Sequence, residues 1–145
     1  MTPGKFVEID HTADVGLDLE GESPADVLEA AQRGLTCLLM ADTSDLVSDG
    51  ERAVVVTADG YPELLKAWCE ELYRLLEEES FVALESQISS VDPERCVGLV
   101  KGASVAAERL AEASELKAVT YHQLAFDRNA AAGSVLWRAR VIFDV

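Results

Sequence analysis

The segment VLWRARVIFDV at the C-terminal end of the sequence constrains the fold more than any other. Apolar side chains occupy every second position from Trp137 to Val145, and three of the positions between them are charged. A period of two places the two sets on opposite faces of a β-strand. The segment DVGLDLEG near the N-terminus has the same alternation. Both segments therefore predict half-buried strands, with one face for a core and one for solvent.

Two other segments repeat their apolar residues at helical spacing. The first follows GESPAD, where Ser23 suits the N-cap, Pro24 the first helical position and Asp26 the first turn. The second follows DGYPE, with Pro62 near its start. The stripes are Val27, Leu28, Ala31, Leu35, Leu38 and Leu39 in the first and Leu64, Leu65, Trp68, Leu72, Leu75 and Leu76 in the second.

The remaining segments add further strands and one ambiguous stretch. KFVEIDH, RAVVVTA, FVALESQISSV, CVGLVKGASV and LKAVTYHQLAF are typical of strands, whereas AAERLAEASE fits a short helix or an extended loop equally well. Most connections are too short for parallel crossovers. We therefore expect an α+β fold: one domain over residues 1–145, with a largely antiparallel sheet of about six or seven strands packed by two main helices.

The charge of the chain limits the partners that it can bind. Its net charge is −15, from 27 acidic and 12 basic residues. Nucleic acid would be repelled, since affinity for it comes largely from neutralising phosphates. A cation or a basic protein suits this surface better, although the charge serves solubility equally well. No apolar run is long enough to span a bilayer and no signal peptide is evident, so we expect a cytoplasmic protein that does not contact membranes.

The three cysteines indicate neither disulfides nor zinc. Cys37, Cys69 and Cys96 are odd in number and widely spaced, so the sequence indicates neither a disulfide framework nor a zinc knuckle. Cys37 and Cys69 lie within the helical apolar patterns, where we expect buried, unreactive thiols.

Common catalytic motifs are absent: the sequence has no phosphate-binding GxxxxGK[ST], GxGxxG, HExxH or GxSxG. The remaining candidate is a carboxylate site for a hard cation such as calcium or magnesium. Asp10, Asp14 and Asp18 lie four residues apart, and Asp144 is followed by Val145, whose main-chain carboxylate would be a further ligand. Two neighbouring carboxylates repel each other unless a cation, an arginine or a lysine lies between them.

Simpler interpretations of these residues remain open. Asp144 would pair with Arg138 or Arg140 on its own strand face, Asp14 would merely begin a strand, and Asp18 would be a solvated charge.

Three basic or titratable residues are further candidates. His11 fits a turn histidine that donates to a nearby carboxylate, and we expect His122 to lie in the sheet with its strand neighbours. Lys117 begins an otherwise apolar strand and is either a solvated charge or a phosphate contact.

The motifs IDHTADVGL, LKAVTYH and VIFDV, with the central segment ELLKAWCEELYRLLEEESFVALE, together resemble the archease family. The similarity is collinear over essentially the whole chain. It implies an accessory protein and not an enzyme. The implied partner is the RNA ligase that joins 3′-phosphate or cyclic-phosphate ends to 5′-hydroxyl ends in tRNA splicing and RNA repair. That ligase loads a guanylate from GTP onto its own histidine with divalent metals, and archeases accelerate the loading and permit repeated turnover.

The resemblance also assigns site residues. It implies that calcium, or another divalent cation, is bound by Asp14, Asp144 and Val145, with no catalytic residues. His11, Lys117 and His122 match the surrounding motif positions.

This chain departs from the family at several positions. It has Gln123 where members often have glycine, and Ala103 and Leu110 where many carry a glutamate and a histidine. If the segment with Ala103 and Leu110 contacts the ligase, the choice of partner or its affinity would differ.

Two other functions remain alternatives to the ligase cofactor. The same carboxylates would serve a metal-dependent phosphodiester hydrolase, which would act without a partner. A general chaperone-like module for RNA-processing enzymes would not depend on Asp14.

Overall fold

The computed structural model describes residues 2–10, 14–129 and 136–145. Within these ranges the chain forms eight strands and three helices in the order β1, β2, α1, β3, α2, β4, β5, α3, β6, β7, β8. The strands are β1 Lys5–Asp10, β2 Asp14–Gly21, β3 Gly50–Thr57, β4 Phe81–Asp92, β5 Arg95–Ser104, β6 Ala118–Val119, β7 Ala125–Asn129 and β8 Leu136–Asp144. The helices are α1 Pro24–Leu39, α2 Tyr61–Glu79 and α3 Ala107–Leu110.

The strands pair in two antiparallel sheets. Sheet A has five strands, in the order β1-β2-β8-β6 with β7 also paired to β8, and sheet B has three, in the order β3-β5-β4. The predicted α+β fold with antiparallel strands is confirmed. The strands are divided because β2 and β8, from opposite ends of the chain, pair with each other, whereas the strands of sheet B pair more locally.

The apolar stripes of α1 and α2 form the core with the inner faces of both sheets. Helix α1 begins as predicted: the Ser23 hydroxyl accepts a hydrogen bond from the Asp26 N–H at 3.1 Å. Trp68 on α2 has no exposed surface, and its indole N–H donates to the Leu28 carbonyl at 2.8 Å. Burial of these stripes, rather than helix propensity, accounts for most of the stability of the two helices.

A row of polar side chains on α1 covers the outer edge of β4. The pairing of β4 with β5 contains two register shifts. The Ala83 carbonyl accepts hydrogen bonds from Gln32 at 3.1 Å and from Thr36 at 2.7 Å. The Ile88 N–H donates to the Glu29 carboxylate at 2.8 Å. These side chains satisfy main-chain groups that would otherwise be left unpaired at the edge of sheet B.

The segment LKAVTYHQLAF, predicted as one strand, is broken in the middle. It forms β6 and β7 with a turn between them, and both strands pair with β8. Gln123 in the turn has a φ of 52°, in the left-handed region. The continuous prediction was wrong because neither glycine nor proline marks the turn.

The ambiguous segment AAERLAEASE contains the short helix α3. Arg109, near the end of α3, donates hydrogen bonds to Asp45 in the loop before β3. Its guanidinium nitrogens lie 2.7 Å and 3.0 Å from the two carboxylate oxygens of Asp45. Hydrogen bonding to Arg109 holds the pKa of the Asp45 carboxyl below its usual value. No helix in the described part of the chain is long and apolar enough to cross a membrane.

The cysteines differ in exposure. Cys69 and Cys96 are buried, but Cys37 is exposed, so the prediction that it is buried was wrong. Position 37 lies off the stripe formed by Leu35, Leu38 and Leu39 and therefore faces solvent.

We expect Cys37 alone to react rapidly with a disulfide reagent at pH 8 in the native protein. Burial raises the pKa of the Cys69 and Cys96 thiols to about 12, so both stay protonated at that pH. A chromogenic thiol assay should count one fast thiol in buffer and three in denaturant. The Cys37→Ser variant should show no fast thiol, and a second fast thiol in either protein would contradict the burial.

Candidate metal centre

Asp14 and Asp144 meet at one end of sheet A. Asp14 is the first residue of β2, Asp144 is the last residue of β8, and the antiparallel register places them directly opposite each other. Their neighbours Val15 and Phe143 are also opposite, with Phe143 fully buried. Since side chains alternate along a strand, both aspartates project from the outer face of sheet A, away from the core.

The hydrogen bonds of Asp144 define the geometry of this pair. The Asp144 carbonyl accepts from the Lys117 N–H at 2.8 Å, so the main chain of Asp144 points toward β6 and not toward β2. Asp14 and Asp144 are therefore a non-hydrogen-bonded pair, in which the Cα atoms lie about 4.5 Å apart and the side chains are closest. Among the described residues neither carboxylate has an ion-pair partner. Two like charges placed directly opposite are destabilising unless a cation neutralises them.

Arg140 is bound to Asp18 instead of Asp144. Its guanidinium donates to the two oxygens of Asp18 at 2.6 Å and 2.9 Å, and these hydrogen bonds raise the pKa of Arg140 above its usual value. The interpretation of Asp144 as the partner of Arg140 was therefore wrong. Asp18, which was expected to be a solvated charge, has a side chain that is 43% exposed but is also paired with Arg140. Arg138 forms a looser ion pair with Glu20, with its Nε atom 4.0 Å from a carboxylate oxygen.

Gly16 and Ile142 separate the aspartate pair from this ion pair. They lie opposite each other between the two, on the same face. A Cβ atom on Gly16 would lie 2.6 Å from Ile142 Cδ1 and 2.7 Å from the Val141 carbonyl oxygen, so only glycine fits. The close packing fixes the spacing between the two charged pairs.

Lys117 and Val145 flank Asp144. The main chain of Lys117 is tied to Asp144, and its exposed side chain lines a cavity of about 300 Å³ between α2 and β6 with Glu70 and Glu77. Val145 directly follows Asp144 and is 41% exposed. Val145 thus lies beside the aspartate pair, whereas the side chain of Lys117 lies on the α2 side of the sheet, opposite the face of Asp14 and Asp144.

The two histidines differ. His122 lies in the exposed turn between β6 and β7, where its N–H donates to the Thr120 hydroxyl at 3.2 Å, so the prediction that it lies in the sheet was wrong. His11 lies outside the described residues. Beside His122, Gln123 adopts the left-handed conformation that favours glycine, and its side-chain oxygen accepts from Arg140 at 2.9 Å. Glycine, which family members often have at this position, adopts this conformation without strain. In this chain the hydrogen bond from Arg140 holds Gln123 in it.

The ligand atoms fit a hard cation. Each carboxylate offers two oxygens, and calcium takes six to eight oxygen ligands in flexible geometry. Within residues 2–10, 14–129 and 136–145, no cluster of three or more His, Cys, Asp or Glu side chains could hold a metal. A cation between Asp14 and Asp144 would thus need further oxygens from the Val145 carboxylate, water or a partner.

The Asp18–Arg140–Gln123 network was missed from the sequence, although a signal existed. Once Asp14 is placed opposite Asp144, an antiparallel register places Asp18 opposite Arg140. Only the conformation of Gln123 had no local signal.

Known proteins are similar to this chain over nearly its full length. Residues 6–145 match the model of the Archease protein family (MTH1598/TM1083). "Protein archease" of Methanosarcina mazei is 28% identical over 145 residues, covering 97% of this chain and 96% of that protein. "Protein archease" of Methanopyrus kandleri is 28% identical, covering 95% and 97%. The solution structure of Methanobacterium thermoautotrophicum protein 1598 is 27% identical to this chain and has a TM-score of 0.75. The match covers 100% of both chains.

Proposed function

The chain belongs to the archease family, and we propose that it is a non-catalytic cofactor of an RNA ligase. The ligase joins 3′-phosphate or cyclic-phosphate ends to 5′-hydroxyl ends, and the cofactor promotes its guanylylation from GTP and its repeated turnover. The observation that carries this proposal is the Asp14–Asp144 pair: two carboxylates held opposite each other, without an ion-pair partner among the described residues.

Asp14, Asp144 and the Val145 carboxylate bind a divalent cation, calcium in the first instance. When bound, the cation supplies positive charge that stabilises phosphate oxygens during nucleotidyl transfer. The aspartates lie on two paired strands, so their positions are fixed by the main chain, and they leave ligand positions open for a partner. Lys117 is tied to Asp144 through its main chain, while its side chain lies on the α2 side of sheet A with Glu70 and Glu77.

The acidic surface recruits the ligase. A chain with a net charge of −15 attracts an RNA-binding protein, which is basic, and accelerates their encounter at low salt. Nucleic acid itself is not the ligand, since its phosphates would be repelled.

A ligase turnover assay tests the proposal. Adding this protein to the ligase, GTP, a divalent metal and RNA with 3′-phosphate and 5′-hydroxyl ends should accelerate ligase guanylylation and convert a single round of joining into many. An unchanged rate across metal and GTP conditions would contradict the proposal. RNA cleavage by this protein alone would instead favour the hydrolase, and stimulation unaffected by a chelator of its cation would favour the chaperone-like module.

A further inference from the structure

The strand β3 has a free main-chain edge. Among the described residues it pairs with β5 alone and lies at the border of sheet B. The Ala58 N–H donates to the Glu94 carbonyl at 3.0 Å, which shows which residues of β3 direct their main-chain groups toward β5. Main-chain groups alternate in direction along a strand. Those of Ala53, Val55 and Thr57 therefore point away from β5, and no hydrogen bond to them at this edge is found among the described residues.

The two edges of sheet B differ. The outer edge of β4 is covered by α1, whose Gln32 and Thr36 satisfy the Ala83 carbonyl. The edge of β3 has no comparable cover among the described residues, and its register with β5 is continuous over Gly50–Thr57, without a bulge or a proline. Natural proteins usually block such edges with charges, bulges or covering elements, because an open edge pairs readily with another strand.

The outer face beside this edge is apolar at its centre. Val55 is 52% exposed and lies opposite Val97 on β5, while the exposed Ala53 lies opposite Leu99. Val97 and Leu99 are themselves only half-buried. A strand added to the edge would extend this strip and remove its apolar side chains from water.

The ends of the edge are acidic. Glu51 lies at one end and Asp59 at the other, and both are exposed. The only basic residue of β3, Arg52, is neutralised by Glu79 at 2.8 Å and lies over the Phe81 ring. An incoming strand therefore meets apolar side chains at the centre and a carboxylate at each end, with Lys101 opposite Glu51 on β5 and 3.9 Å from Glu85.

We propose that the edge of β3 binds an extended segment of a partner protein, with apolar residues at alternate positions and lysine or arginine at both ends. The segment adds a strand to sheet B through the main-chain groups of Ala53, Val55 and Thr57. A second copy of this chain is a poorer occupant, since it would bring another net charge of −15 to the contact. This inference goes beyond the proposed function and holds whether or not the ligase supplies the segment.

Amide hydrogen exchange measured by NMR tests the proposal. The probe is the synthetic peptide Lys-Val-Thr-Val-Thr-Val-Lys with blocked ends, in millimolar excess over the ¹⁵N-labelled protein. In the free protein the amides of Ala53, Val55 and Thr57 should exchange fast, and those of Val54 and Val56 slowly. When about nine-tenths of the protein is bound, exchange at the three edge amides should slow about tenfold.

Two comparisons separate strand addition from simple charge attraction. A peptide N-methylated on its three valines keeps its charges but lacks the N–H groups that face β3 when the valines extend the apolar strip, and it should give no protection. The Val55→Pro variant removes one outward N–H that the pairing with β5 does not use, so the fold is retained while binding is lost. Gln87→Ala, an exposed position on β4 opposite Leu99, is the matched control and should bind normally.

Three results would overturn the proposal. The first is absence of protection with the unmodified peptide. The second is equal protection by the N-methylated peptide, which requires no protein variant. The third is protection of the three edge amides in the free protein that grows with protein concentration, together with sedimentation as a dimer, which would assign the edge to a second copy.

Discussion

Replacing Trp68 with alanine is expected to lower the free energy of unfolding by about 3–5 kcal/mol. Trp68 has no exposed surface and lies between α1 and sheet B: its indole N–H bonds to Leu28 at 2.8 Å, and its ring approaches Gly98 on β5. The substitution removes this bond and leaves a large cavity. Domains of this size are stable by only about 5–15 kcal/mol, so one substitution removes a large part of the total.

Urea denaturation followed by circular dichroism measures the effect, and two variants are informative controls. Trp68→Phe keeps most of the ring and loses the N–H donor, so it should cost clearly less than the alanine variant. Trp137 is only half-buried, in contact with Tyr61 and Phe126, and Trp137→Ala should also cost less. Equal losses for Trp68→Ala and Trp137→Ala would contradict the central position of Trp68.

The helices were predictable because their signals are local. The Ser23 cap, the nearby Pro24 and the apolar stripe are all read within one segment of the chain. The same local pattern shows why Cys37 was misjudged: it lies in the helix but not on the stripe. Helical spacing predicts burial position by position, not for a whole segment.

The division into two sheets was not predictable, because strand pairing depends on contacts between distant segments. Alternation shows that β2 and β8 each have a buried face, but it does not reveal which strand is the neighbour of which. The turn between β6 and β7 was missed for a related reason. Gln123 occupies a left-handed position that glycine usually marks, and the hydrogen bond from Arg140 that holds it comes from another strand.

Two different kinds of information about the candidate site could be read from the sequence. The acidic composition pointed to a cation, and the resemblance selected Asp14 and Asp144 among many carboxylates. The structure adds the register: the two residues are cross-strand partners, and Asp18, in the same motif, is occupied by Arg140. A carboxylate already bound by an arginine has little capacity for a cation.

Calcium is expected to raise the Tm of the wild-type protein but not that of the Asp14→Asn or Asp144→Asn variant. A ligand that binds only the folded state at about 100 times its Kd adds about 2.7 kcal/mol. For a chain of this length that corresponds to a rise of about 5–10 °C. Each variant removes one of the two carboxylates on which the proposed site depends, so its Tm should be nearly independent of calcium.

The behaviour in chelator distinguishes a cation site from a structural role for the same residues. Without a cation the opposed carboxylates repel each other, so Asp14→Asn and Asp144→Asn should be at least as stable as the wild type. Asp127→Asn, an exposed carboxylate on β7, makes the same charge change and should keep the full calcium response. If Asp127→Asn lost the calcium shift as completely as Asp14→Asn, the effect would reflect general screening of the acidic surface, and the assignment of Asp14 and Asp144 would be wrong.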